Sequence, residues 1–408
     1  MELKPLAIVN GRLVDPAGTV TVGGVLIRDR VIAAIGAIEP GDADVIDAKG
    51  ALIAPGIVDV GGFAIDLPAF MAGGITRAAL MPDQSPPLDE PALVQRAAAA
   101  GKPDVWIHPI AAATRGLAGE ELAEIGLMRA AGACAIATGR RAIVDSGVMH
   151  RLLAYAAALD MPVIVHAEDA GLTAGAVATA GETATRLGLP SAPAIAEAMA
   201  IARDLVLAED SGARIHFHQV TTAAGFDLIR AARKRGVRVT CGTTPAHLLL
   251  SDTAIGLFRT FARLSPPLRE ERDRLATIEA VRDGTVDILC SAHDPQGPEA
   301  KRLPFTDAEP GMAGAETLLT LALTLVRDEV IDLPRLFALL SANPARLLGL
   351  PGGVLAVGAE ADLILVDPDT PWRIDADRMA AKAGNTPFDG LPVQGKVIRT
   401  IKGGRALG

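Results

Sequence analysis

Aromatic residues are scarce in this chain. One Tyr, two Trp and nine Phe make up 3% of 408 residues, so the interior must be packed mainly with Ala, Leu, Val and Ile. The three cysteines, Cys134, Cys241 and Cys290, lie far apart in apolar runs. They form neither a disulfide framework nor a CxxC metal knuckle, and they read as buried reduced thiols. Positive charge is in deficit, 39 Lys and Arg against 48 Asp and Glu, for a formal charge of -9. An acidic surface repels phosphate backbones, so no nucleic-acid partner is expected. No apolar run reaches membrane-spanning length, and the first residues lack an apolar signal core. The expectation is a cytoplasmic protein with no membrane contact.

Half of the residues are hydrophobic, enough for a sizeable core, and the length suggests a large domain plus a smaller one. Ala51 to Phe63 marks the boundary. There an apolar run meets the Pro55-Gly56 turn, and a β-branched strand, Ile57 to Val60, ends in Gly61, Gly62 and Phe63. Before it, residues 1–54 read as short strands: 6–9, a turn at Asn10-Gly11, 12–14, 24–27 and 30–33. Residues 351–408 have the same character at 361–367 and 395–401. Neither end has enough strands to bury a face alone, so the two are expected to form one discontinuous β-sandwich.

Between them, across 55–350, strands alternate with helical patterns. Eight strands are predicted, at 57–60, 75–81, 105–110, 133–137, 162–166, 214–218, 237–241 and 286–290. The clearest helices are 120–130, 147–158, 193–209, 223–234 and 271–282. This α/β pattern predicts a (β/α)8 TIM-type barrel with its site at the C-terminal strand ends. A doubly wound open sheet is the alternative, but no Gly-x-Gly-x-x-Gly follows a strand to support it.

Polar residues gather at three of the predicted strand ends: His166-Ala-Glu168-Asp169, His216-Phe-His218, and Ser291-Ala-His293-Asp294. His166, His218 and an acid from the last strand are the residue types that hold Zn²⁺. A histidine on an apolar strand is equally a hydrogen-bonded core residue, and both readings stand at this point.

Longer stretches carry a resemblance. Ala54-Pro-Gly-Ile-Val-Asp59, Met81-Pro82, Val163 to Asp169, His218-Gln-Val-Thr-Thr222, Thr244 to Leu250 and Ser265-Pro-Pro-Leu-Arg269 match in order and spacing. So do Gly314-Ala-Glu316, Asn343-Pro-Ala-Arg346, Gly358 to Leu363 and Asn385-Thr-Pro-Phe388. Through them the sequence resembles the dihydroorotases of the amidohydrolase superfamily, nearly end to end. The resemblance implies a zinc-dependent, reversible closure of carbamoyl-aspartate to dihydroorotate, with an aspartate on the last strand moving the proton.

The pattern's reacting residues do not carry over. Its His-x-His falls on Gly61 and Phe63, and its substrate-gripping arginine on Ile65. Its Met-Pro-Asn-Thr-Asn becomes Met81-Pro-Asp83-Gln-Ser85. Its strand-four acid falls near Thr138-Gly139, beside Arg140-Arg141, and Ala292 stands at the catalytic aspartate's place. Of the metal set only His166 and His218 survive, fewer than the three protein ligands a catalytic zinc uses. Asp294 is a weak replacement candidate, about 6.6 Å further along the strand. Asp83, Ser85, His247 and His293 are expected as remnants of the substrate pocket. Asp59 and Glu168, like the surviving histidines, read as inherited structure.

The resemblance is therefore to catalytically inactive dihydroorotase-like chains that assemble with aspartate transcarbamoylase. No cofactor is expected, and an oligomer is. The alternatives are an active cyclic amidohydrolase holding one Zn²⁺, and a metal-free binder of a carbamoyl or ureido metabolite.

Overall fold

The computed structural model describes residues 4–407. The two ends of the chain meet in one eight-stranded sheet. Its central strand, Leu6–Asp15, pairs antiparallel with Thr19–Arg28 and parallel with Asp44–Asp47 and Leu52–Pro55. Leu52–Pro55 then pairs antiparallel with Leu363–Arg373, joining the N-terminal strands to Pro392–Lys402 and Arg405–Leu407. The sheet is mixed rather than purely antiparallel. Asn10-Gly11 is not a hairpin turn: the strand runs through it, Asn10 takes φ 56°, and the register slips there by a bulge. The turn comes later, after Asp15, because Gly11 continues the ladder opposite Gly23.

Ile57–Gly62 opens the barrel. It is the first of eight parallel strands in sequence order: Ile57–Gly62, Ile75–Leu80, Trp106–Ala112, Ala135–Ala137, Val163–Val165, Ile215–Phe217, Val239–Thr243 and Ile288–Leu289. The first and last strands are linked by hydrogen bonds beyond the ladder. Ser291 N–H donates to Asp59 Oδ1 at 2.8 Å, and Phe63 N–H to the His293 carbonyl at 2.8 Å. Val60, Ala79, Ile110, Ala137, Ile164 and Ile288 belong to one buried cluster, closed by Leu347 and Leu348. These are the small and branched residues that the shortage of aromatics demands.

The outer helices follow from local chemistry. Ala223–Lys234 starts at Thr222, whose hydroxyl accepts from Gly225 N–H, and buries Phe226, Ile229 and Ala232 on one face. Arg233 and Lys234 sit in its last turn, where the helix dipole favours cations. Ser146–Ala158 is capped in the same way by Asp145. The helix predicted at 120–130 begins only at Ile125, because Leu122 forms a backbone bridge to Thr114 and holds the preceding residues extended. Among the described residues no helix is long and apolar enough to cross a membrane.

Candidate functional site

The C-terminal strand ends bring His166, His218, Phe63, Arg140, Ala292 and Asp294 to one mouth. His218 follows the sixth strand and is 2% exposed, with no hydrogen-bond partner at either ring nitrogen. Burial, followed by the nearby His166 and Arg140 charges, pushes its pKa down to about 3, so the ring is neutral. His166 Nε2 lies 3.0 Å from Glu168 Oε2. Burial alone would raise Glu168, but His166, Arg269 and Arg263 hold it below the ordinary carboxylate range.

Arg140 crosses this mouth from the end of the fourth strand. Its Nη2 donates to Asp294 Oδ2 at 2.6 Å, and its backbone N–H donates to Asp83 Oδ1 at 2.9 Å. Its guanidinium carbon lies 3.8 Å from the centre of the Phe63 ring, a cation–π contact. Gln84 fixes that ring's loop by donating to the Phe63 carbonyl at 2.9 Å. The space left among Phe63, Arg140, His247 and Ala292 is about 20 Å³ open to a water's centre. That is room for about one water molecule. Small-molecule sites run to about 300 Å³ or more.

The other sequence-predicted residues hold backbone in place. His293 is fully buried, accepting from Ala315 N–H at Nδ1 (3.2 Å) and facing Asp66 Oδ2 from Nε2 (3.3 Å). Since Nδ1 accepts, the ring proton lies on Nε2 and points at Asp66. Burial would raise Asp66, but this bond and others from the backbone keep it below its ordinary value. His247 is likewise bonded at both nitrogens, to the Thr244 hydroxyl at 2.8 Å and the Pro266 carbonyl at 3.1 Å. Burial brings its pKa to about 4. Asp59 holds the Ser291 amide and hydroxyl, and burial raises its pKa. Of the four residues expected as pocket remnants, His247 lines the residual space. Asp83 caps the Arg140 backbone, His293 braces the strand end from behind, and Ser85 is exposed.

The zinc that the resemblance implies can be tested against these donors. Gly61, Phe63 and Ala292 supply none. Asp294 is engaged on both oxygens, by Arg140 and by Gln296 Nε2 at 2.8 Å. His218 has two unpartnered nitrogens and His216 one, at Nε2, and besides His166 the charge that His218 feels is the Arg140 guanidinium, which cannot be deprotonated. Among the described residues no three His, Cys, Asp or Glu side chains could hold a metal ion together. The residues do not fit the group.

Sequence reasoning noted Arg140 but assigned it no role. The available signal was two arginines directly after an apolar strand, where an acid was expected. It also missed the buried Glu197, which accepts from the Thr221 and Thr222 amides and hydroxyls and pairs with Arg269. That network accounts for the matching stretches at 218–222 and 265–269 as scaffold. The three thiols are unpaired, and burial raises their pKa, to about 12 for Cys134.

Comparison with known proteins supplies the relationship. The amidohydrolase family profile matches residues 66–407. A dihydroorotase of Syntrophotalea carbinolica is 39% identical over 98% of both chains. A dihydroorotase-like protein of Pseudomonas aeruginosa is 40% identical, again over 98% of each. Among solved structures, the L-hydantoinase (dihydropyrimidinase) of Arthrobacter aurescens superposes with a TM-score of 0.87 at 27% identity, over all of this chain and 96% of its own. The chain thus belongs to the amidohydrolase family, among the dihydroorotases and dihydroorotase-like proteins.

Proposed function

We propose that this chain is a dihydroorotase-family protein of pyrimidine biosynthesis that has no dihydroorotase activity of its own and serves as a structural partner of aspartate transcarbamoylase. The observation that carries the first half is Arg140. Its guanidinium, tied to Asp294 and stacked on Phe63, lies across the mouth beside His218, and leaves about 20 Å³ there. A fixed cation beside the surviving imidazoles opposes a second cation, and Ala292 offers no group to move a proton. Asp59, Glu197 and His293 hold the loops by buried hydrogen bonds, as expected of a chain selected for its shape. The partner half rests on the resemblance.

Pure protein given Zn²⁺ and dihydroorotate is expected to hold well under one zinc per chain and to show no turnover above buffer. Turnover that a chelator or His218→Ala abolishes would overturn the reading, in favour of an active amidohydrolase with a single metal. Aspartate transcarbamoylase is expected to copurify with the chain and to lose activity when the chain is removed. A transcarbamoylase that is unassociated and equally active alone sinks the partner half.

A further inference from the structure

The opposite end of the barrel carries a cleft that the mouth does not explain. It lies where the sixth, seventh and eighth strands begin, with about 490 Å³ open to a water's centre. That is within the range of small-ligand sites, roughly 300–1,000 Å³. Arg214, Arg233, Arg238 and Arg346 line it, together with Asn343 and two carboxylates, Asp160 and Asp287.

The charges there are not balanced. Arg233 is paired with Asp287. The other three guanidiniums direct their hydrogen bonds to uncharged groups: Arg214 to the Leu347 carbonyl at 2.7 Å, Arg238 to the Gly212 carbonyl, and Arg346 to Asn343 Oδ1 at 3.1 Å. The carboxylate beside Arg238 and Arg214 is Asp160, at 3.6 and 3.9 Å, with its side chain 73% exposed. Two permanent cations thus share one solvated carboxylate, and the third, Arg346, has no carboxylate within 4.0 Å among the described residues, in a chain whose formal charge is -9. Arginine forks match phosphate oxygens two at a time, and several of them together suit a group with more than one phosphate. Behind them Ile215, Val239, Ile288 and Leu347 give the cleft an apolar floor. Asn343 and Arg346, part of one of the stretches shared with the dihydroorotases, belong to this cleft and not to the mouth.

We propose that this cleft binds a diphosphate group, either free or carried by a nucleotide whose apolar part rests on the floor. Calorimetry on the full chain at low salt, with inorganic pyrophosphate and with adenosine diphosphate, tests it. At least one is expected to bind saturably at one per chain, and to bind roughly tenfold more weakly in Arg238→Ala and in Arg346→Ala. Both arginines are exposed, so the variants should keep the parent melting temperature. Arg373→Ala, in a different surface cleft, should leave binding unchanged. Tighter binding of adenosine diphosphate than of pyrophosphate assigns the site to a nucleotide, and equal or weaker binding assigns it to free diphosphate. No saturable binding of either probe overturns the proposal. So does binding that survives both substitutions, or that Arg373→Ala weakens equally.

Discussion

At Gly61 the backbone takes φ +96°, and a β-carbon added there would lie 1.9 Å from His218 Cε1. Only glycine accepts that conformation readily, and the imidazole packs against the bare α-carbon. The position cannot regain a side chain without displacing His218. Gly61→Ala is therefore expected to destabilise the protein by about 1–3 kcal/mol, from left-handed strain plus overpacking. A lowered urea midpoint with unchanged slope would show it, and an unchanged midpoint would refute it. Ala292 has a related history. It too is left-handed, at φ 46°, in the bend that carries the last strand into His293 and Asp294. The residues at 61, 63 and 292 depart from the pattern that the resemblance implies, and each departure can be read one residue at a time. The role of Arg140 cannot, since its partners Asp83, Phe63 and Asp294 come from three other loops.

Among elements, the ones legible in the sequence have one wet face and an apolar stripe at helical spacing. Ala223–Lys234 and Glu271–Arg282 lie where their apolar spacing predicts. Leu318–Arg327 has only a thin polar stripe, Thr320, Thr324 and Arg327, and Thr320 itself is buried, so the helix is not among those singled out from the sequence. Loops joining elements are held by buried polar networks, and Glu197 with Arg269 is the clearest. Glu197 is 1% exposed, and Thr221, Thr222 and Arg269 all donate to it. Glu197→Ala leaves a buried guanidinium without its counter-charge, and is expected to cost about 3–5 kcal/mol. The check is the denaturation midpoint. A loss under about 1 kcal/mol, the value of an exposed pair, would mean that the network is not buried in solution.

For the molecule as a whole, buried imidazoles set the response to acid. Burial lowers the pKa of His108 and His247 to about 4, of His218 to about 3, and of His216 well below its ordinary value. In the unfolded chain these groups protonate near pH 6.5. Between those values the unfolded state binds more protons, so stability is full above about pH 7 and falls as the pH drops toward 4. From pH 7 to 6 the loss is about 0.7 kcal/mol per imidazole, or about 2–3 kcal/mol for the four. Asp204, raised to about 6 by burial, opposes this trend only below about pH 6. Unfolding free energies at pH 7.5, 7 and 6 test it, and a flat profile would contradict the burial of these rings. The sequence by itself determined the barrel and the sheet shared by both termini, which follow from hydrophobic period and turn residues, and these are local. The loss of the pattern's ligands is what the resemblance to the dihydroorotases implies, position by position. Only the tertiary structure decided that the mouth is filled and that arginines collect at the other end. Both depend on side chains from separate strands meeting across the barrel, where burial and charge at a distance choose the partners.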